Sequence, residues 1–385
     1  LVVIAAQSTS PAQLGTLALV IALYRLTVAI TRALVAEPLI ALDEAGGSPA
    51  GALHAAALIG VVGGLVCLGA GMLAGPGAQT SFLIVAGCLP ALCVQDVARY
   101  LSVGRGRAAR AATLDAVWIG VQLVCSVAVA ALTEITLELA IATWLIGGVV
   151  AALVALATFG VRPTGGRRWL ATRAGTASQF LVEYGAIHGV VQGAYLLVAT
   201  IVSTAAAGAM RSIETLFGPY SVVLLGTRPA LVRSLRSTPR SPAAWTRGLR
   251  RIGMGLLAVV AATAAMVLVL PDSLGELLLG DTWSSARDLA PAYATYAAAV
   301  ALSGVPMVGL RAIGEPRDLA RARLLEAPLA LGLLTGGAVL FEAAGALLGL
   351  ALGSVVGTAL AWRSLRRHLA GGSVSAPGRA PLEPS

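Results

Sequence analysis

Residues Leu137–Phe159 read LELAIATWLIGGVVAALVALATF, followed at once by Gly160–Arg168, GVRPTGGRR. At about 1.5 Å per residue such a run makes a helix roughly 35 Å long, enough to cross about 30 Å of hydrocarbon. It carries one charge, Glu138, near its start, and ends in a cluster of arginines. The same unit recurs along the chain. The sequence contains no lysine, so all 27 basic residues are Arg. Most fall in five clusters, Arg99 to Arg110, Arg162 to Arg173, Arg228 to Arg251, Arg311 to Arg323 and Arg363 to Arg379. The gaps between them hold mostly acids: Glu134 and Glu138, then Asp272, Glu276, Asp281 and Asp288, then Glu342. Cytoplasmic loops keep basic residues and translocated loops lose them, so this alternation predicts a chain that threads a bilayer many times.

Composition agrees. The 385 residues are 57% hydrophobic and 12% charged, with a mean hydropathy of +0.86, far from soluble domains. A pI near 10.1 could suit nucleic acid. These arginines, however, lie in short gaps beside apolar runs instead of on one basic face, and topology explains them more simply. No nucleic-acid partner is expected. Cys67, Cys88, Cys93 and Cys125 sit inside apolar runs without CxxC spacing and read as small core residues. Abundant Ala, Gly and Arg without Lys point to a GC-rich bacterial source.

Eleven spans are predicted, at about Leu14 to Val35, Ala50 to Leu73, Ser81 to Leu101, Ala111 to Leu132, Leu137 to Phe159, Gln179 to Thr200, Ala205 to Leu231, Ile252 to Leu270, Leu289 to Ala312, Leu324 to Leu340 and Ala344 to Trp362. The run Leu1 to Ala6 is too short to cross and is read as the tail of a first helix that is missing or misassigned. Counting it gives twelve helices, with every arginine cluster and the C-terminus on the cytoplasmic side. Residues 1–160 are expected as an N-terminal bundle, 161–178 as a cytoplasmic linker, 179–365 as a C-terminal bundle and 366–385 as a disordered tail. The inside loop Glu37 to Pro49 fits this least well, holding Glu37, Asp43 and Glu44 but no Arg. Ser8-Thr9 through Gly15 and Ser203-Thr204 through Gly208 look alike, a faint sign of duplication.

Charges inside the spans are the candidate site, because an arginine at mid-bilayer costs about 2.5 to 3.5 kcal/mol on insertion scales. Arg25 lies near the middle of its span and points to a cavity role. Arg32, seven residues on, shares its face and either continues a positive ladder or snorkels to the inner headgroups. Arg211 and Glu214, three apart, form a neutralising pair on one helix, or join Arg25 around a cavity. Asp96 and Arg99 repeat that spacing nearer the interface, as a structural pair or inner gate. Glu183 and His188 point about 140° apart and make no dyad, although each is a candidate for proton coupling. Pro90, Pro219 and Pro306 fall within spans and can kink or break them. Pro271 to Asp288, with its leucines and Trp283 among acids, reads as an amphipathic segment on the outer interface. There is no Walker motif, GxSxG, HExxH or paired-cysteine site, and His54, His188 and His368 are scattered, so neither an enzyme nor a metal or cofactor site is expected.

Three stretches, YRLTVAITRALVAEP within Gly15 to Pro38, QDVARYLSVGRGRAARAATLD from Gln95, and MRSIETLFGPYSVVLLGTRPALVRSLR from Met210, make the chain resemble the multidrug/oligosaccharidyl-lipid/polysaccharide (MOP) exporter superfamily. The resemblance is to its polysaccharide flippase branch, related to the MATE transporters. It implies an all-α, polytopic, MATE-like protein of two six-helix bundles facing a central cavity, working by alternating access in the bacterial inner membrane. It also implies a polyprenyl-diphosphate-linked glycan as substrate, with Arg25 and Arg211, then Arg32 and Arg99, as its contacts. Arginine suits a diphosphate because its fork donates two parallel hydrogen bonds. Membrane lipids, and glycosyltransferases or a polymerase of the same pathway, are the implied partners. A proton- or cation-coupled drug or metabolite antiporter on the same fold, using Glu183, His188 or Glu214, is the competing expectation. A membrane glycosyltransferase would need acids in the first external loop, and Gln7 to Gln13 has none. A non-transporting scaffold of an envelope-polysaccharide complex is the remaining alternative.

Overall fold

The computed structural model describes residues 2–7, 9–41, 49–160, 164–236, 242–313 and 315–370. It is all helical among these residues, and nine of the described helices are long and apolar enough to cross a membrane. A five-residue turn, α1 (Val2–Ala6), precedes α2 (Pro11–Thr31), whose start is fixed by a capping box: Ser10 accepts from the Gln13 N–H while Gln13 accepts from the Ser10 N–H. The helix does not stop at Val35 as expected. It widens into a π-turn over Arg32–Ala36 and continues as α3 (Glu37–Ala41). Pro38 explains the turn: it has no N–H for the Leu34 carbonyl and its ring would strike that carbonyl in a regular helix. Residues 42–48 of the expected inside loop lie outside the described residues.

The next helices are α4 (Pro49–Ala74), α5 (Pro76–Gly104), α6 (Ala108–Leu132) and α7 (Leu137–Phe159). The last begins and ends where the sequence placed it, because Thr136 caps its start and Gly160, at φ 60°, takes the left-handed conformation that ends it. The expected linker 161–178 is mostly helix, since α8 (Gly166–Ile201) starts only a few residues after α7. Glycines and a proline suggested a break there, but His54 of α4 accepts the Gly166 N–H at 3.2 Å and serves as its N-terminal cap. The next predicted span is two helices, α9 (Thr204–Leu216) and α10 (Gly218–Arg236), parted at Phe217 just before Gly218-Pro219. Pro219 therefore breaks its span, whereas Pro90 and Pro306 remain inside α5 and α14.

After α11 (Pro242–Leu268), the segment from Pro271 folds as α12 (Asp272–Leu279), a 3-10 turn at Gly280–Thr282 and α13 (Trp283–Asp288). Its apolar residues divide between inside and outside: Leu279 and Trp283 are buried while Leu274 and Leu277 are exposed. Asp272 accepts from the Trp283 indole N–H at 2.8 Å and from Arg287, and these two donors, the indole first, hold its carboxyl below the usual carboxylate range. The chain ends in α14 (Ala290–Ile313) and α15 (Pro316–Ala370). A straight helix of 55 residues would be roughly 80 Å long, far more than a bilayer. It is instead two antiparallel limbs folded at Phe341 and Glu342, the latter at φ 53°, where the sequence placed an external turn. Its second limb runs on through 366–370, which were expected in the disordered tail; 371–385 lie outside the described residues.

Because successive long helices run in alternating directions, the ends near Arg105, Gly165, Arg236 and Arg311 fall on one side and those near Pro11, Gly75, Thr133, Thr204 and Glu342 on the other. The first set is arginine-rich and the second arginine-poor. α4 through α7 pack on one another, as do α11, α14 and α15, and the seam between these groups is made by α2 against α8 and α9 and by α4 against α8. All four cysteines are free thiols in these helices.

Candidate functional site

At the arginine-poor end, the two similar stretches noted in the sequence pack against each other. Ser203 caps α9 as Ser10 caps α2. Gly15 lies so close to the Thr204 carbonyl that a β-carbon there would overlap it, and one on Gly208 would come within 2.8 Å of the Pro11 carbonyl oxygen and 2.9 Å of the Gly15 nitrogen. Only hydrogen at these positions lets the two backbones touch. Outside them, the Gln7 side-chain amide donates to the Leu277 carbonyl, and the Ser212 and Thr282 hydroxyls are hydrogen-bonded at 3.3 Å.

Further along α2 and α9 comes the charge cluster. Arg25 Nη1 lies 2.6 Å from Glu214 Oε1, and Arg211, three residues before Glu214 on the same helix, donates to its other oxygen. The Tyr195 hydroxyl of α8 donates to that same oxygen. The Arg211 guanidinium lies over the Tyr195 ring, 3.9 Å from its centre, and is 1% exposed. The intrahelical pair read from the sequence is therefore present, and Arg25 completes it from the other side of the seam. The arrangement holds two positive charges on one carboxylate.

A second cluster sits toward the arginine-rich end. Arg32 forks onto Asp96, Nε to Oδ2 at 2.8 Å and Nη2 to Oδ1 at 2.7 Å. Arg99 reaches Asp96 at 3.3 Å and Asp115 at 3.4 Å. Both guanidinium groups lie over the Tyr100 ring, at 5.3 and 5.8 Å. From α8, Tyr184 donates to Glu37 across the seam and stacks on His188 with ring centres 5.4 Å apart. The side chain of Glu183 lies outside the described residues.

Between the clusters is a cavity of about 820 Å³. Its wall includes Arg32, Glu37, Arg99 and Arg311 toward the arginine-rich end and Glu214 deeper, with His188 between. Arg25, Arg211 and Asp96 stand behind the wall. The chain has seven tyrosines, and six of them, Tyr100, Tyr184, Tyr195, Tyr220, Tyr293 and Tyr296, line this one space. Sequence reasoning passed over these rings. A signal was present, because Tyr184, His188, Val191 and Tyr195 recur at i, i+4, i+7 and i+11, one stripe of α8, and Tyr293, Tyr296 and Val300 do the same on α14. Glu37, read as a loop residue, and Arg311, read at the end of its span, also belong to the wall.

No family model matches the chain, and no curated protein matches it in sequence. Solved structures do match in three dimensions. An inward-facing conformation of a multidrug resistance MATE family transporter of the MOP superfamily superposes with a TM-score of 0.71 at 13% identity, covering 96% of this chain and 93% of that one. An outward-facing conformation of such a transporter gives 0.62 at 13% identity, covering 96% and 90%. The lipid II flippase MurJ in an inward closed conformation gives 0.69 at 9% identity, covering 95% and 84%.

Proposed function

We propose that this chain, which has the membrane-transporter fold of the MOP superfamily, is an alternating-access transporter poised to load substrate from the cytoplasm. The observation that carries this is the placement of the cavity. Its arginine-lined part lies toward the end that the positive-inside rule assigns to the cytoplasm, while α2 and α9 are closed glycine to glycine at the other. The higher superposition score with the inward-facing MATE structure than with the outward-facing one supports the same state.

For the substrate we favour a lipid carrying a diphosphate-linked glycan. Arg25, Arg211, Arg32, Arg99 and Arg311 face Glu214, Glu37, Asp96 and Asp115 in and behind the wall, a surplus of one positive charge (five against four). Tyrosines offer flat faces to sugar rings and hydroxyls to sugar hydroxyls. On this reading Arg32 and Arg99 are the first contacts and Arg25 and Arg211 act once Glu214 lets go. Arg25→Ala should then abolish transport while leaving membrane insertion intact. The second reading, a proton- or cation-coupled drug or metabolite antiporter, is favoured by the multidrug transporters among the similar structures and by Glu214 opening onto aromatic rings, a setting that suits cations. Glu214, His188 and Glu183 would then handle the coupling ion. Reconstitution into liposomes decides between them. Polyprenyl-diphosphate sugar crossing while a cationic drug does not supports the first, the reverse supports the second, and movement of neither removes the transporter reading.

A further inference from the structure

A second basic recess lies outside the central cavity, where α10 ends and α11 begins. It measures about 400 Å³ and is lined by Ser234 and Leu235 of α10 and by Ala244, Arg247, Gly248, Arg251 and Ile252 of α11. Arg247 and Arg251 are four apart, so their guanidinium groups flank the recess on one helical face, with Gly248 between them. Gly248 is its floor: a β-carbon there would come 3.3 Å from Leu235 Cδ1. Trp245 and Leu249, on the opposite side of the same turns, are 4% and 1% exposed and pack in one core with Leu235, so the recess is held by a rigid corner.

Arg247 and Arg251 make no ion pair among the described residues, whereas Arg25, Arg32, Arg99 and Arg211 beside the central cavity each have a carboxylate partner. Depth points to the occupant. With 27 residues α11 is roughly 40 Å long, about 10 Å more than the hydrocarbon layer, which leaves its first two turns or so among headgroups. Arg247 and Arg251 lie at that boundary, and beyond them Ile252 and the exposed Met254 continue the surface as apolar.

We propose that this recess binds the phosphate headgroup of an anionic phospholipid of the arginine-rich leaflet, with the glycerol and acyl chains running down α11 past Ile252 and Met254. A free phosphate would use the guanidinium groups and leave the apolar wall idle, so the occupant is a lipid. This site is separate from the transport cavity and stands whichever substrate that cavity carries.

The test uses the full chain in phosphatidylcholine nanodiscs, titrated with short-chain phosphatidylglycerol and followed by native mass spectrometry and by the thermal unfolding midpoint. Saturable binding that weakens about thirty-fold in Arg247→Gln/Arg251→Gln is expected, from the contribution of a basic residue near an anionic surface. Gly248→Leu, which fills the floor and keeps both arginines, should block binding too, whereas Arg250→Gln, outside the recess, should not. Gel-filtration profiles matching the wild type show that the variants fold. Equal binding of short-chain phosphatidylcholine would overturn the proposal, as would displacement by millimolar inorganic phosphate or unchanged affinity in the double variant.

Discussion

Replacing Glu214 with Gln tests the clasp between the halves. Glu214 receives Arg25, Arg211 and the Tyr195 hydroxyl, and Gln keeps its shape while removing its charge. Removing one partner of a buried ion pair costs about 3 to 5 kcal/mol, because the other charge stays buried without compensation. Arg25 is 44% exposed and the less enclosed of the two, so its share is the smaller. Arg211 is 1% exposed and fully enclosed. Since Gln still accepts one hydrogen bond, the low end applies, about 3 kcal/mol, or on the order of a hundred-fold in an equilibrium. That is comparable to the few kcal/mol separating two states of a transporter, so the sealed arginine-poor end should open in a large fraction of molecules. Spin labels at Ala12→Cys and Ala205→Cys, near the starts of α2 and α9, report this by double electron–electron resonance in a background without the four native cysteines. The parent should show one short distance, Glu214→Gln an added longer one, and Arg25→Gln the same added distance to a lesser extent. An unchanged distribution in Glu214→Gln would refute the assignment of these charges to the closure.

Three further perturbations address other parts of the molecule. Asp96→Asn removes the carboxylate that Arg32 forks onto and should lower stability by about 2 kcal/mol, read from denaturant unfolding in detergent. Glu342→Gly should raise the thermal midpoint by the equivalent of about 1 kcal/mol, because φ 53° at the turn of α15 strains any side chain but suits glycine. Asp272 has a depressed carboxyl pKa in the fold, so its contribution is full above the ordinary carboxylate pKa and lost as pH falls through its own lower value. A difference in Trp283 fluorescence between the wild type and Asp272→Asn should therefore be present at neutral pH and vanish in strong acid.

The all-helical, membrane-crossing character of the chain was legible from the sequence because it depends on a local quantity, the length of an apolar run. Leu137–Phe159 was placed to the residue, since Thr136 and Gly160 cap it through contacts within a few positions. Boundaries failed where a distant group intervened. His54 caps α8 from 112 residues away and turned most of an expected linker into helix. At the seam, the sequence by itself determined that Arg211 and Glu214 share a face and that Arg25 and Arg32 share another, because helical periodicity is a property of one segment. Only the tertiary structure decided that Arg25 meets Glu214 across 189 residues, that Arg32 is held by Asp96, and that six tyrosines from four helices surround one space. Those meetings depend on which helices lie side by side. Glycines such as Gly15 and Gly208 set that distance, and their role appears only when both backbones are in place.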